Sequence, residues 1–569
     1  MAATTAVVAQ APHGGRLCEL IPDDQALVAE LTQEAKMLKK LRLSQRQVCD
    51  LELLLNGGFS PLRGFLNKED YDSVVDGMRL KSGLLWPMPV TLDVTAEKYR
   101  ELAKGQRVAL LDPKEGIPLA ILTVESLWKP DKVKEAVQVF GANDQAHPAV
   151  WYLFNKAGDY YVGGSIEGIQ LPPHYDFVEL RQTPKEIRAS MAAKSWSRMV
   201  AFQTRNPMHR SHKEITVLAA RESGCNLLIH PVVGMTKPGD VDHYTRVRCY
   251  KEMMKHYPDG LASLSLLPLA MRMAGPREAL WHAIIRKNYG ATHFIVGRDH
   301  AGPGNNSKGE LFYGVYDAQE LVKKHQEELG VTIMDFRMED QVPSGSQVLN
   351  ISGTELRRRL YKGMDIPDWF SFPEVVKILR ETYPPRVQQG FTLFFTGLSS
   401  SGKSTIAHAL QSALLQRGGR TVSVLSGKKI RGLLSSELGF SRTDRDLNMR
   451  RIGYVASEIT KSGGVAVLTA ISPYEEGRRT CRDMVSRHGG FFEIYISTPL
   501  EVCEERDRKG LYAKARRGLI TDFTGVNDPY EPPKSPEITI DASRVSVTNA
   551  VQTIIAALEE EGYLAQVKL

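Results

Sequence analysis

The apolar run Phe391 to Thr396 leads directly into Gly397-Leu-Ser-Ser-Ser-Gly402-Lys403-Ser404-Thr405 and then into a helix-forming stretch, Ile406 to Leu415. Strand, GxxxxGKS/T loop and helix in that order have one physical use. Backbone N–H groups of the glycine-rich loop and the positive end of the helix close around a phosphate, and the lysine reaches its outer oxygens. Such a loop needs a parallel α/β sheet around its strand. It begins only at residue 391 of 569, so the larger part of the chain must build something else. At roughly 150 residues per domain the length implies about three or four domains. The 42% apolar and 24% charged content excludes disordered, collagen-like and coiled-coil classes.

No window reaches the ~18 to 20 consecutive apolar residues of a membrane helix. Residues 1 to 15 lack a basic n-region, the first arginine being Arg16, so a cytoplasmic protein is expected. Cys18, Cys49, Cys225, Cys249, Cys481 and Cys503 are scattered without a CxxC pair, which supports neither disulfides nor structural zinc. The net charge of +7 is small for this length and contains no basic run of the nucleic-acid kind. It suits small anions held by local Arg and Lys groups.

Punctuation divides the chain into three pieces, 1–175, 176–389 and 390–569. Pro384-Pro385 stops the amphipathic run Glu374 to Arg380, and Pro172-Pro173 closes a region of short strands. Strand candidates in the first piece are Leu119 to Val124 and Trp151 to Phe154, predicting a small mixed α/β or barrel-like domain. The second piece alternates strands at 199–203, 226–233, 261–267 and 293–297 with helices at 210–222, 243–256 and 276–289. That order predicts a doubly wound parallel sheet, whose ligands bind beyond the carboxyl ends of the strands. The loops 203–212 and 297–304 are therefore the places for chemistry.

The first loop reads Gln203-Thr204-Arg205-Asn206-Pro207-Met208-His209-Arg210-Ser211-His212, with Pro207 suited to a helix start and His209 and His212 spaced i,i+3 on one face. No third ligand at zinc spacing accompanies them, so no protein metal site is expected. The second loop, Gly297-Arg298-Asp299-His300-Ala301-Gly302-Pro303-Gly304, brings a cation, a carboxylate and an imidazole to the same sheet edge. Further on, Ile351-Ser352-Gly353-Thr354-Glu355-Leu356-Arg357 offers Ser352 as a helix cap with Glu355 at capping-box distance.

These motifs, with Asn56-Gly-Gly-Phe-Ser-Pro-Leu-Arg-Gly-Phe65, resemble the fungal-type ATP sulfurylases (sulfate adenylyltransferases), and the resemblance runs from about residue 12 to the C-terminus. It implies a multidomain α/β protein: a small mixed N-terminal domain, a Rossmann-like HxxH nucleotidyltransferase domain and a C-terminal P-loop kinase-like domain. The implied reaction joins ATP and sulfate into adenylylsulfate (APS) with release of pyrophosphate, the first step of sulfate assimilation. By resemblance, Gln203, Arg205 and Ala301 hold sulfate, and Gln203, Thr204, Arg205, Asn206, Gly297, Arg298, Asp299 and His300 hold ATP. Thr204, Arg205, Asn206, His209 and His212 are the catalytic set. Phe336 resembles a substrate-recognition phenylalanine, with core packing as its other use. Mg²⁺ enters as the MgATP complex. A homohexamer is implied, with no nucleic acid and no membrane among its partners.

The third piece resembles adenylylsulfate kinase, with Gly397, Gly402, Lys403 and Ser404 in its phosphate loop. One segment departs. Where active kinases of the family carry LDGDN, this chain has Leu425-Ser426-Gly427-Lys428-Lys429, and the strand Val465 to Thr469 also ends without a carboxylate. Phosphoryl transfer to a neutral hydroxyl lacks its usual acid there. Lysines instead favour an extra phosphate, the group that distinguishes 3′-phosphoadenylylsulfate (PAPS) from APS. The resemblance implies an allosteric PAPS site at Lys428, Lys429, Ile430, Arg431, Arg445, Ala470, Ile471 and Lys509. A bifunctional PAPS-forming enzyme and a C-terminal domain serving only assembly stay open.

Overall fold

The computed structural model describes residues 10–237, 239–336, 351 and 353–565, without the side chain of Thr354. The chain forms two compact units, residues 1–350 with 367–378, and residues 351–366 with 379–569.

The first unit holds two sheets. Strands β1 (Lys39–Arg42), β2 (Gly64–Phe65), β3 (Leu92–Val94), β4 (Arg107–Leu111), β5 (Pro118–Trp128) and β6 (Tyr160–Gly168) make a mixed sheet in the order β1-β4-β5-β6-β2, with β3 also on β6. Only the β1–β4 pair is parallel. The strand expected at 119–124 lies inside β5. Trp151 to Phe154 is not a strand. It lies inside the helix Pro148–Asn155, where Pro148 opens the first turn and the His147 side chain caps the N–H of Ala149. A four-residue apolar run fits either period, and here the Pro and the cap decide.

The second sheet is wholly parallel: β7 (Met199–Phe202), β8 (Asn226–Ile229), β9 (Ala262–Leu264), β10 (His293–Val296) and β11 (Thr332–Asp335), in the order β11-β10-β7-β8-β9. The chain winds outward from β7 to β9 and then returns to the other side of β7 at β10. The strand order therefore reverses between β7 and β10, and in sheets of this kind ligands bind beyond the strand ends at that point. The loops 203–212 and 297–304 follow these two strands.

The boundary near residue 175 separates two sheets but not two cores, since one apolar cluster runs from Leu20 to Ile333. Its joint is the helix Gly275–Asn288, twelve of whose fourteen residues are buried. Such a helix has no polar stripe because no face meets water. Trp281 packs on Phe59 at 5.0 Å, and Asn288 Nδ2 donates to the carbonyls of Gly58 and Ser60, both at 3.0 Å. The Asn56–Phe65 motif is thus a packing anchor for this helix.

In the second unit β12 (Phe391–Thr396), β13 (Val422–Ser426), β14 (Val465–Thr469), β15 (Gly490–Ile496) and β16 (Ile538–Ile540) form a parallel sheet in the order β13-β14-β12-β15-β16. Helix Lys403–Arg417 follows β12 after the glycine-rich loop 397–402. Segment 351–357 also falls in this unit. Ser352 lies outside the described residues, and the Glu355 carboxylate takes hydrogen bonds from Arg358 and Arg359. No helix among the described residues is long and apolar enough to cross a membrane.

Candidate active site

Helix Arg210–Ser223 begins later than Pro207 suggests: His209 is its N-cap and His212 its third residue. The backbone N–H of His209 donates to His212 Nδ1 at 3.1 Å, so the side chain of His212 satisfies an amide that the helix itself leaves open. Burial lowers His209 to about 3, with the neighbouring His212 as a smaller cause, and lowers His212 to about 4. At neutral pH both are uncharged imidazoles, each with a single N–H.

Ahead of them, Thr204 ties the loop to itself: its Oγ1 accepts from the Asn206 N–H at 3.1 Å, and its carbonyl accepts from the Val232 N–H at 3.0 Å. Tyr250 Oη donates to the Asn206 carbonyl at 2.7 Å. Gln203 is half-buried, and Asn206 faces solvent. Arg205 Nη1 meets both carboxylate oxygens of Asp240, at 2.5 and 2.6 Å. Asp240 was not among the residues expected from sequence. It sits in a turn that the Lys237 backbone N–H closes onto its carboxylate at 3.2 Å. Lys237 Nζ in turn donates to the Pro303 carbonyl at 2.7 Å, joining this turn to the loop after β10. The only sequence sign was a Lys-Pro-Gly-Asp turn, a pattern common on any surface.

That loop has unusual backbone. Asp299 (φ +49°) and Ala301 (φ +55°) are left-handed without being glycine. Strain of this kind persists where surroundings impose it. Here the Gly275 N–H holds the Ala301 carbonyl at 3.1 Å and the Asp299 N–H bonds the Val315 carbonyl at 2.8 Å. Gly302 follows because a Cβ there would run into the Asp299 carboxylate. Partial desolvation raises Asp299 above the ordinary carboxylate value, against the pull of Arg205, Lys237 and Arg298. His300 is buried, with Nε2 3.0 Å from His282 Nδ1, and burial holds it well below its ordinary pKa. Gly297 and Arg298 complete the loop, Arg298 facing solvent. The loops expected from sequence at 203–212 and 297–304 thus meet at one sheet edge, linked through Asp240, Lys237 and Pro303. Phe336 lines a separate cavity of about 490 Å³ with Arg198, Glu222 and His293, to which neither loop contributes. Among the described residues no cluster of three or more His, Cys, Asp or Glu could hold a metal ion.

In the second unit the loop after β12 takes the shape its glycines permit. Gly397 has φ +142° and Gly402 φ +107°, and a Cβ on Gly397 would meet the Ile496 carbonyl oxygen at 2.5 Å. Lys403 is buried and donates to the carbonyls of Gly397 and Leu398 at 2.8 and 2.5 Å, while Ser404 is exposed. Burial lowers the Lys403 ammonium to about 8. Ser426, standing where the kinases have an acid, caps helix Gly427–Leu434 by accepting from the Lys429 N–H. Lys428, Lys429 and Lys509 are exposed. The Ile430 side chain belongs to the apolar core, and Ala470 packs against it. The Ile471 carbonyl takes the Thr396 hydroxyl at 2.7 Å. Arg431 and Arg445 both lie over the exposed Phe440 ring, 4.3 and 5.5 Å from its centre. Arg445 also donates to the Phe440 carbonyl at 2.8 Å.

Comparison with known proteins covers nearly the whole chain. The ATP-sulfurylase family matches residues 178–382, adenylylsulphate kinase residues 389–541, and a PUA-like domain residues 10–171. A Neurospora crassa protein named sulfate adenylyltransferase is 57% identical over 567 residues, covering 97% of this chain and 99% of the relative. One of the same name from Chaetomium globosum is 56% identical over 571 residues, covering 98% and 100%. Among solved structures, one described as a hexameric APS kinase from Thiobacillus denitrificans superposes with a TM-score of 0.79 at 36% identity, covering 98% of this chain and 100% of that one. With identity above one half over nearly the whole length, and the HxxH and GRDH loops meeting at the sheet's switch point, the chain belongs to the sulfate adenylyltransferase family.

Proposed function

We propose that the protein transfers the adenylyl group of ATP to sulfate, giving APS and pyrophosphate. A sulfate oxygen forms a bond to the α-phosphorus, the bond from that phosphorus to the bridging oxygen of the β-phosphate breaks, and pyrophosphate leaves with the electron pair. The nucleophile is already an anion, so no base is required. What the site must supply is a way to bring two anions together in line. Arg205, oriented by Asp240, offers a planar donor face to sulfate together with Gln203 and the backbone at Ala301. Thr204 and Asn206 shape the loop and Gly297 to His300 hold nucleotide, whereas Phe336, in a cavity apart from both loops, takes no part in this reading. The N–H groups of His209 and His212 serve the phosphates as charge builds on them. MgATP is the substrate form.

The observation that carries this reading is the meeting of the Arg205–Asp240 pair, the neutral histidine pair and the strained 299–301 loop at the switch point between β7 and β10. The test is ATP–sulfate exchange with Arg205→Ala. Loss of exchange by about a hundred-fold or more is expected, and wild-type exchange would overturn the assignment.

For the second unit we propose a regulatory role: PAPS bound near Lys428, Lys429, Arg431, Arg445, Ala470, Ile471 and Lys509 inhibits adenylyl transfer through a homohexamer in the cytoplasm. Exposed lysines at the head of a helix whose family position is otherwise acidic support it. So do Arg431 and Arg445 gathered at one aromatic ring. The three pieces 1–175, 176–389 and 390–569 then act as accessory, catalytic and sensing parts. A second reading, a bifunctional enzyme that also phosphorylates APS, is favoured by the intact phosphate loop and by the description of the Thiobacillus protein as an APS kinase. Full-length protein given APS and ATP separates them: PAPS formed at a catalytic rate sinks the purely regulatory role. Sigmoidal inhibition by added PAPS that is lost in Lys428→Ala supports it.

A further inference from the structure

A neutral imidazole has one proton, and which nitrogen carries it decides whether the ring gives or takes a hydrogen bond at the phosphates. For His212 the choice is made locally. Its Nδ1 faces the backbone N–H of His209, which can only donate, so the proton resides on Nε2. For His209 a second partner comes from far along the chain. Its Nδ1 lies 3.0 Å from the hydroxyl of Ser371, 162 residues further along the chain, and that hydroxyl can give or take.

Ser371 is 1% exposed and His209 is 7% exposed, so water does not compete for this contact. The segment that carries the serine is fastened to the same helix end. The Phe370 carbonyl accepts from the Arg210 N–H at 3.1 Å, and the Asp368 carbonyl accepts from the Arg210 guanidinium. The Phe370 ring lies 4.4 Å from the His209 ring, and the Arg210 guanidinium lies 4.0 Å from the centre of Phe372. Phe372 is itself stacked on His256 at 3.8 Å. Three consecutive residues, Phe370 to Phe372, thus supply a ring on His209, a hydroxyl to its Nδ1 and a ring under Arg210, which is more than packing on a surface helix requires.

We propose that Ser371 is a positioning residue for adenylyl transfer: its hydroxyl donates to His209 Nδ1, so that the proton of the imidazole stays on Nε2, free to be given to a phosphate oxygen. This rests on the reading of His209 as a phosphate-contacting group. The two histidines then reach the same donor tautomer by different routes, His212 through its own helix cap and His209 through the 368–372 segment. If the proton sat on Nδ1 instead, a lone pair on Nε2 would face the phosphate charge as it grows during attack, so the cost falls on the transition state more than on binding.

The test uses the full-length enzyme with pyrophosphate release as the readout. In Ser371→Ala, kcat is expected to fall about ten-fold, the equivalent of one biased hydrogen bond, while KM for ATP and for sulfate stays within about two-fold. Ser371→Thr, which keeps the hydroxyl, is expected to retain at least half of the wild-type kcat. Wild-type kcat in Ser371→Ala overturns the proposal. So does an equal loss in both variants with unchanged melting temperature, because the hydroxyl would then be irrelevant. His209→Gln separates the layers of the inference. Full activity there would remove the role of His209 itself, whereas its loss beside a fully active Ser371→Ala removes only the role of Ser371.

Discussion

Replacing Asp240 by asparagine removes the negative partner of Arg205 while keeping the size of the side chain and an oxygen for the Lys237 N–H, so the turn at 237–240 is retained. The two contacts it holds, at 2.5 and 2.6 Å, converge on one guanidinium nitrogen, and the side chains are 19% and 12% exposed, so solvent screens the pair only in part. A hydrogen bond to a charged group is worth about 1.5 to 3 kcal/mol. Applied to the orientation of Arg205, that is roughly a ten- to hundred-fold loss in kcat/KM for sulfate. The loss divides in a recognisable way. Asp240→Asn takes a negative charge away from an anion site, which favours sulfate binding, while Arg205 loses its fixed direction, which penalises the transition state. Expected, therefore, are a KM for sulfate that is unchanged or lower and a kcat that carries the whole decrease, read by initial rates of pyrophosphate release across a sulfate series. A raised KM with wild-type kcat would refute the reasoning, because Asp240 would then be serving ground-state binding.

The remaining predictions concern stability and the second unit. His13, His147, His209 and His212 are held by burial at about 4, 4, 3 and 4, below the value of about 6.5 in the unfolded chain. The unfolded state thus binds more protons below pH 6.5, so stability falls as pH drops from about 7 to about 5, by about 2 kcal/mol per histidine. A melting temperature that is flat across that range would contradict their burial. Asp50→Ala leaves Arg272 buried and unpaired, both side chains being no more than 2% exposed. A cost of about 3 to 5 kcal/mol is expected, visible as a clear drop in melting temperature. In Lys403→Met, ATP–sulfate exchange should stay within about two-fold of wild type, since Lys403 bonds only the phosphate loop of its own unit. A ten-fold loss would tie the two nucleotide sites together.

Legibility followed the range of the interactions. Helix 210–223 and the loop after β12 could be read from sequence because their signals lie within a few residues: an apolar period, glycines where φ is positive, a lysine and serine at fixed offsets. Helix 148–155 reads differently from its sequence because the fragment Trp-Tyr-Leu-Phe suits a strand as well, and the deciding residues, His147 and Pro148, stand just outside it. Helix 275–288 lies within a residue of its expected place at either end, yet nothing in its pattern showed that it is enclosed on all sides between two sheets.

The family, the two loops that end at the switch point between β7 and β10 and the loss of both acids from the kinase-like segment can be read along the chain, because each is written in contiguous residues whose spacing has few uses. What holds those residues in place is set by the fold. Asp240 behind Arg205, His282 behind His300 and Ser371 behind His209 come from positions 35, 18 and 162 residues away. A hydrogen bond between such distant residues leaves no period or spacing in the chain. It exists because the fold brings the partners together and burial removes the water that would otherwise compete for them.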